Sequence, residues 1–311
     1  MSFALVMALA CALDAAFGWP DWIYRRIGHP VVWIGAVISA LELRHNDGEP
    51  ADRRRAGTLC VVATLAVVLI PTLLLQIALP GGAFGHILAA VLVWPFIAIR
   101  SMHDHVAAVA RPLVAGDLMA ARQAVAMIVG RDPARLDHPG TARAALESLA
   151  ENTSDGIVAP VFWGLIAGLP GIAVYKAINT LDSMIGHRNE RFEDFGRSAA
   201  RLDDLVNLIP ARLTGVLFAV VSHRPRKALT TMRRDAHHHR SPNAGWPEAA
   251  MAGALDIRLS GPRIYGDLIA DEPWVNEGAP DPTGATLAAG LGLYRRAMLA
   301  MGLVLLAIAA I

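Results

Sequence analysis

The sequence predicts an all-α, polytopic integral membrane protein, and two observations support this fold class. Hydrophobic residues make up 54% of the 311 residues and charged residues only 18%, below the quarter that is typical of soluble domains; the mean hydropathy is +0.42. Strand-like alternation is nearly absent, whereas uncharged runs of membrane-crossing length recur. We therefore expect one membrane-embedded domain over 1–311, with four or five membrane-inserted helices, one broken or re-entrant segment and helical cytoplasmic portions.

Five segments are apolar enough to be membrane helices. They are residues 1–17, 57–79, 83–99, 205–222 and 297–311. The turn Pro80-Gly81-Gly82 joins the second and third into a helical hairpin. Because basic residues flank the other ends of this hairpin, we expect its tip outside and its ends inside the cell.

Residues 157–177 are apolar but make a poor simple span. The glycines and prolines that interrupt them are Pro160, Gly164, Gly168, Pro170 and Gly171. Irregular backbone at membrane depth must line protein or a cavity. We therefore expect a broken or re-entrant element here.

The remaining stretches, 101–156 and 223–284, are more polar and are predicted to be cytoplasmic portions. A net charge of +1 gives no bulk attraction to nucleic acid. Cys11 and Cys60 lie in apolar runs and have neither metal-site nor disulfide spacing. The sequence contains no Gly-rich loop ending in Lys-Ser or Lys-Thr, so any nucleotide binds without a P-loop.

Carboxylates and amides at helical spacing concentrate between Arg143 and Arg212. The spaced pairs are Glu147 and Glu151, Asn179 and Asp182, and Asp204 and Asn207. Residues three or four apart on a helix are neighbours, and acidic groups in or near lipid are costly to keep. The pattern predicts that these groups hold a metal ion and phosphates at the membrane surface.

Oxygen ligands of this kind suit Mg²⁺, which also bridges to substrate phosphates. Asp182, Asp203 and Asp204 are the best candidate ligands, with Asn179 and Asn207 as neutral oxygen donors. The alternative for Asp203, which lies near Arg201, is that it only caps the following helix.

Three basic residues accompany the acids. Arg188 and Arg212 are candidates to clamp phosphate bidentately, and Lys176, three residues before Asn179, adds a point charge to the same face. Glu147 or Glu151 would take a proton from a nucleophile if burial raises its pKa. The alternative for Glu147 is an ordinary i,i+4 pair with Arg143.

From these spacings alone, two classes of function remain open. One is metal-dependent phosphate chemistry on a substrate that reaches the membrane, as in a Mg²⁺-dependent intramembrane prenyltransferase. The other is an ion-coupled transporter, but transporters usually show more spans and inverted repeats. Neither is evident, so the sequence favours an enzyme.

Several long motifs occur in order along the chain. They read ESLAENTSDGIVAPVFW, NTLDSMIGHRNERFEDFG, ARLDDLVNLIPARLTG and SPNAGWPEAAMAGALDIRL, after an opening DAAFGWPDW…GHPVVWIG…LE. Together they closely resemble the cobinamide-phosphate synthase family of cobalamin biosynthesis. The resemblance runs from about Asp14 to Tyr265.

The resemblance implies a multi-pass inner-membrane ligase whose active site faces the cytoplasm. Such an enzyme joins a corrinoid substrate, adenosylcobyric acid, to aminopropanol or its phosphate, with ATP as cosubstrate, Mg²⁺ as cofactor and an acyl phosphate as the expected intermediate. The lipid bilayer is then a partner and nucleic acid is not. The resemblance also leaves room for association with other cobalamin-pathway enzymes.

Under this resemblance the candidate site residues form three groups. Those expected near the chemistry are Glu147, Glu151, Asn152 and Asp155. Those expected at phosphate or nucleotide are Lys176, Arg188, Arg212 and Asn243. Those expected at the metal are Asp182, Asp203, Asp204, Asn179 and Asn207. Trp163 and Trp246 are candidates to contact the corrinoid face.

Overall fold

Helices form most of the protein, which is 78% helical. The computed structural model describes residues 1–129, 133–265, 268–270 and 272–311; residues 130–132, 266–267 and 271, in the predicted cytoplasmic portions, lie outside the described residues. The α-helices within the described residues are α1 Phe3–Phe17, α2 Asp21–Ile27, α3 Pro30–His45, α4 Pro50–Ala78, α5 Gly82–Val93, α6 Ile99–Val114, α7 Leu118–Val125, α8 His138–Thr153, α9 Ala159–Ile185, α10 Arg197–Val220, α11 Pro225–Asp235, α12 Gly245–Leu255 and α13 Gly284–Ala309.

Short strands occur only between α12 and α13 in the part of the chain that is described. They are β1 Leu259–Ser260, β2 Arg263–Tyr265, β3 Leu268–Ala270 and β4 Trp274–Val275. β1 pairs antiparallel with β4, and β2 with β3. The prediction of an all-α protein is confirmed.

Five helical segments in the described residues are long and apolar enough to cross a membrane. They are Asp21–His45, Pro50–Ala78, Gly82–Val114, His138–Ile185 and Gly284–Ala309. α1 is apolar but has only 15 residues. α10, which covers the predicted membrane segment 205–222 as far as Val220, is not among the five. The protein is therefore a multi-pass membrane protein, as the sequence predicts.

The chain divides into two compact units. The first comprises residues 1–98, 159–207 and 305–311, and the second residues 99–158 and 208–304. In the first, α9 packs against α1, α3, α4 and α5. In the second, α8 packs against α6, α7 and α12, and α11 lies along α12.

The backbone of α9 breaks at Gly168, inside the stretch for which the sequence predicts an interruption. Gly168 has φ +65°, a left-handed conformation that glycine adopts without steric cost. The Leu169 N–H after the break donates to Oε1 of Gln76 at 2.8 Å. A donor that the helix leaves unsatisfied is thus paired by a side chain of α4, as a low-dielectric environment requires.

Candidate active site

A buried hydrogen-bond network joins α9 to the start of α10 in the first unit. The Tyr175 hydroxyl donates to Oδ1 of Asn207 at 2.8 Å, and the Asn207 amide donates to Oδ2 of Asp203 at 3.0 Å. Tyr175 and Asn207 are each 1% exposed and Asp203 is 9% exposed. Because the side-chain oxygen of Asn207 accepts one hydrogen bond and its NH₂ group donates the other, the network fixes the orientation of this amide.

Asp203 has an unusual electrostatic environment. Burial raises the pKa of Asp203 to about 7, and the Asp182 carboxylate adds to the shift, while nearby amides oppose it. Burial also raises the pKa of Asp204, whereas Arg188 acts in the opposite direction. Oδ1 of Asp203 is buried and makes no hydrogen bond of normal geometry among the described residues. A carboxylate in this state is stabilised by a nearby cation.

Other predicted residues surround this network. The Lys176 ammonium donates to Oδ1 of Asn179 at 3.2 Å, and both side chains lie on α9. His187 lies within electrostatic range of Asp182, just after α9 ends. The structure therefore brings together the metal candidates, together with Lys176 and Arg188, in the first unit.

Asp203 lies inside α10, which begins at Arg197. The alternative that Asp203 only caps a helix is therefore wrong, since an N-cap residue immediately precedes the helix whereas Asp203 lies in its second turn.

The donor set fits Mg²⁺ but not an ion held by side-chain acids alone. Among the described residues no group of three or more His, Cys, Asp or Glu side chains is arranged to hold a metal. Mg²⁺ commonly uses only one or two carboxylates and completes its shell with water and substrate phosphate. The buried, under-bonded Oδ1 of Asp203 and the amides beside it are compatible with such a site.

Glu147 is buried in the second unit, at 6% exposure. Its Oε1 accepts the backbone N–H of Ser260 at 2.8 Å, and the Ser260 hydroxyl donates to Glu248 at 3.5 Å. His239 Nε2 lies 3.8 Å from the same Glu248, which is 2% exposed. Two buried carboxylates therefore meet at Ser260, which itself has φ +55°.

Arg143 pairs with Asp281 instead of forming the i,i+4 pair that the sequence offers as an alternative. Asp281 also accepts two hydrogen bonds from Arg258, at 2.9 and 2.6 Å. The Trp274 ring lies against both guanidinium groups, at 4.6 Å from Arg143 and 4.2 Å from Arg258.

The remaining predicted residues of the second unit are placed as follows. Glu151 and Asn152 are exposed, and the Asn152 amide donates back to the Ser148 carbonyl at 2.9 Å. Asp155 lies in a single π-helical turn, Ser154–Val158, that follows α8; such turns are frequent at functional sites.

The Arg212 guanidinium stacks on the Trp246 ring at 4.3 Å, and Asn243 is buried just before α12.

Several site residues are absent from the sequence predictions. Tyr175 could have been found, because it lies four and seven residues before Asn179 and Asp182 and so shares their helix face. Glu248 could not have been found in this way, because no predicted site residue lies at helical spacing from it. Glu42 is 6% exposed and forms a bidentate pair with Arg191 at 2.9 and 2.7 Å.

Comparison with known proteins gives a consistent result. A family model described as CobD/Cbib protein matches residues 7–294. The cobalamin biosynthesis protein CobD of Rhodobacter capsulatus is 64% identical over 305 residues, covering 98% of this chain and 97% of the relative. Proteins of the same name from Brucella suis biovar 1 and Sinorhizobium sp are 48% and 46% identical, each covering at least 96% of both chains. No solved structure matches the chain.

Proposed function

The chain belongs to the CobD/Cbib protein family, and from that membership we propose that it acts in cobalamin biosynthesis as an ATP-dependent ligase of the inner membrane. The proposed reaction joins the reactive carboxylate of adenosylcobyric acid to the amine of aminopropanol or its phosphate. The product is adenosylcobinamide or its phosphate. The corresponding relatives carry cobalamin biosynthesis in their names.

The observation that carries the phosphate chemistry is the Asp203 network in the first unit. Its carboxylate is buried, has a raised pKa and lies near Asp182 and Asp204. A structural carboxylate of this kind would be costly without compensation. A cation with a bound polyphosphate supplies the compensation, which is why we place ATP and Mg²⁺ here.

A carboxylate is a poor acyl donor at neutral pH and must be activated first. In the proposed first step an oxygen of the corrinoid carboxylate attacks the γ-phosphorus of ATP, the bond to the bridging oxygen breaks and ADP leaves. Mg²⁺ held by Asp203, Asp182 and Asn207 would neutralise the charge of the phosphate groups. Lys176 and Arg188 supply positive charge close to these ligands.

In the second proposed step the amine attacks the acyl carbon, the bond from that carbon to the phosphate oxygen breaks, and inorganic phosphate leaves. The attacking nitrogen must lose a proton, and Glu147, which is 6% exposed in the second unit, stays the candidate base that the sequence predicts. Glu151, which is exposed, is the second candidate base.

The function is tested directly with purified protein. The detergent-solubilised protein is incubated with adenosylcobyric acid, ATP, Mg²⁺ and either aminopropanol or its phosphate, and the amide product is sought by mass spectrometry. We expect the amide together with ADP. Consumption of an isoprenoid diphosphate supplied in a parallel incubation would instead indicate a prenyltransferase, and no nucleotide cleavage would favour a transporter.

An Asp203→Asn variant tests the assigned site. Because asparagine is close in shape and removes a buried charge, the variant should fold while losing at least about a hundredfold in turnover. Asp52→Asn is the matched control, since Asp52 is 67% exposed and lies 3.9 Å from Arg55. Full turnover by Asp203→Asn would remove Asp203 from the site.

A further inference from the structure

The segment between α9 and α10, residues 186–196, carries Arg188 of the proposed phosphate site and its neighbour His187. His187 and Arg188 directly follow Gly186, whose backbone N–H donates to the Asp182 carbonyl at 2.7 Å, so the segment begins at a residue of that site. Both side chains are exposed. The positions of these two side chains relative to the carboxylates therefore depend on the contacts that hold the segment, which we call the α9–α10 loop.

A buried glutamate of α3 fastens this loop. Glu42 accepts Nε of Arg191 at 2.9 Å on one oxygen and Nη2 at 2.7 Å on the other. Such a two-point pair fixes orientation as well as distance. Glu42 is nearly buried whereas Arg191 is 59% exposed at its side chain, so the loop is fastened to a fixed point in the helix packing.

Two further side chains complete the fastening. Asn46, one turn after Glu42, donates both to Glu42 at 2.9 Å and to the Arg191 carbonyl at 3.0 Å. Its oxygen accepts Nε of Arg53 at 2.9 Å, and Arg53 in turn donates to the carbonyls of Glu190 and Arg191. We call Glu42, Asn46, Arg53 and Arg191 the clamp.

The far side of the loop is held by α4. Arg54 pairs with Asp194 at 2.9 Å, and Phe195 is fully buried. At Gly57 a Cβ atom would lie 1.8 Å from the Phe195 carbonyl oxygen, so the α4 backbone makes a close approach there. The loop is thus anchored at 194–195 independently of Glu42, and loss of the clamp would release residues 187–191 without detaching the whole segment.

We propose that Glu42 is a positioning residue, which through the clamp holds His187 and Arg188 at the end of the loop that is hydrogen-bonded to Asp182 and thereby sets the affinity for the Mg²⁺-bound nucleotide. The proposal rests on the proposed function. A cleft of about 710 Å³ adjoins the clamp and is lined by Glu42, Asn46, Arg53, Asn189, Glu190 and Arg191. Residues 187–191 are exposed, so opening of the clamp does not require them to leave a packed core.

The test compares Glu42→Gln with Glu49→Gln. Glutamine keeps the size of the side chain but loses the charge that binds the guanidinium at two points. Glu49 is exposed, seven residues away, and its side chain makes no capping hydrogen bond at the start of α4. An Arg191→Lys variant serves as a second probe, because lysine keeps the charge and loses the two-point geometry.

Two readouts are measured in detergent. Hydrogen exchange by mass spectrometry should show amides of 187–191 exchanging about tenfold faster in Glu42→Gln, with peptides of α1 and α5 unchanged. The KM for ATP at fixed Mg²⁺ should rise about tenfold with a smaller change in kcat, because the loss is one of positioning. Glu49→Gln should match the wild-type protein in both.

The outcomes separate the two hypotheses. If the wild-type protein makes no amide, the proposed function fails, while the exchange data still report whether Glu42 holds the loop. If the wild-type protein is active and Glu42→Gln leaves both loop exchange and KM unchanged, the positioning role is overturned. Faster exchange throughout the first unit with an unchanged KM would also overturn it, since Glu42 would then serve stability alone.

Discussion

Tyr175 and Tyr294 are both 1% exposed, and the hydroxyl of each donates a 2.8 Å hydrogen bond. The acceptor of Tyr175 is Asn207 in the candidate site, whereas that of Tyr294 is the Ile99 carbonyl. Replacing either with phenylalanine should cost about 1 kcal/mol of stability. Only Tyr175→Phe should also lower turnover, by about tenfold, because it frees the Asn207 side chain that orients Asp203.

Melting temperatures in detergent and steady-state turnover check this pair of variants. Equal losses of turnover in Tyr175→Phe and Tyr294→Phe would mean that the effect follows stability and not the site.

Asp281 gives a pH-dependent contribution to stability. The hydrogen bonds from Arg258 lower the pKa of Asp281, with further help from Arg143. A carboxylate whose folded pKa lies below its unfolded value of about 3.9 stabilises the fold above that value. The contribution is lost as the pH falls through the folded pKa. Since the side chain is 34% exposed, solvent screening limits the effect to on the order of 1 kcal/mol.

We therefore expect Asp281→Asn to be less stable than the wild-type protein at pH 7, and the difference to shrink below about pH 4. Thermal unfolding of the two proteins in detergent, at pH 7 and below about pH 4, measures this difference in stability. A difference that persists unchanged at low pH would show that the charge of Asp281 is not its cause.

Spacing along one helix predicts the region of these contacts but not every partner. The predicted pair is Asp204 and Asn207, whereas the observed hydrogen bond joins Asn207 to Asp203, four residues away on the same helix. The partner of Glu42 is 149 residues away, and nothing local to Glu42 identifies it. Burial of Glu42 is a property of tertiary packing, which a helical pattern alone does not specify.

At the scale of elements, the break in α9 depends on a contact from another helix. Gln76 Oε1 accepts the Leu169 N–H at 2.8 Å, and a Cβ at Gly168 would lie 2.0 Å from that oxygen. Gln76→Leu leaves a backbone donor unsatisfied in an apolar setting and should cost about 1 to 3 kcal/mol. Gln123, which is exposed on α7, provides the control variant Gln123→Leu.

Melting in detergent distinguishes these two variants. A Gln76→Leu protein as stable as Gln123→Leu would mean that the Leu169 amide finds another acceptor and that Gln76 does not support the break.

The existence of this break could be predicted from the sequence, but the side chain that accepts the unpaired backbone N–H could not. Closely spaced glycines and prolines between 160 and 171 disfavour a continuous helix by known backbone chemistry. The choice of Gln76 as the acceptor depends on how α4 packs against α9. Likewise the motif spacing predicted the metal candidates of α9 and α10, whereas the carboxylates that meet at Ser260 come from separate elements.

At the scale of the whole molecule, the cleft beside the clamp fixes part of the membrane topology. Asp47 and Glu190 both line it, so they lie on the same side of the bilayer, which we expect to be the cytoplasm. The tip between α4 and α5 should lie on the other side. The buried Cys11 and Cys60 can be replaced by alanine to allow labelling of single cysteines.

In sealed spheroplasts an impermeant maleimide should label Gly81→Cys, and should label Asp47→Cys and Glu190→Cys only after permeabilisation. Gly81 is exposed with open space around its Cβ position, so this substitution is tolerated. Labelling of Asp47→Cys in sealed spheroplasts would place the proposed nucleotide site outside the cell, where ATP is scarce.

The proposal that this protein activates a carboxylate by phosphorylation is tested most directly with ¹⁸O. Adenosylcobyric acid labelled in both oxygens of the reactive carboxylate is converted with ATP, Mg²⁺ and aminopropanol phosphate, and the inorganic phosphate and nucleotide products are analysed by mass spectrometry. Attack on the γ-phosphorus predicts ADP and one ¹⁸O atom in each phosphate released. Label in AMP, or an amide formed with unlabelled phosphate, would contradict the account.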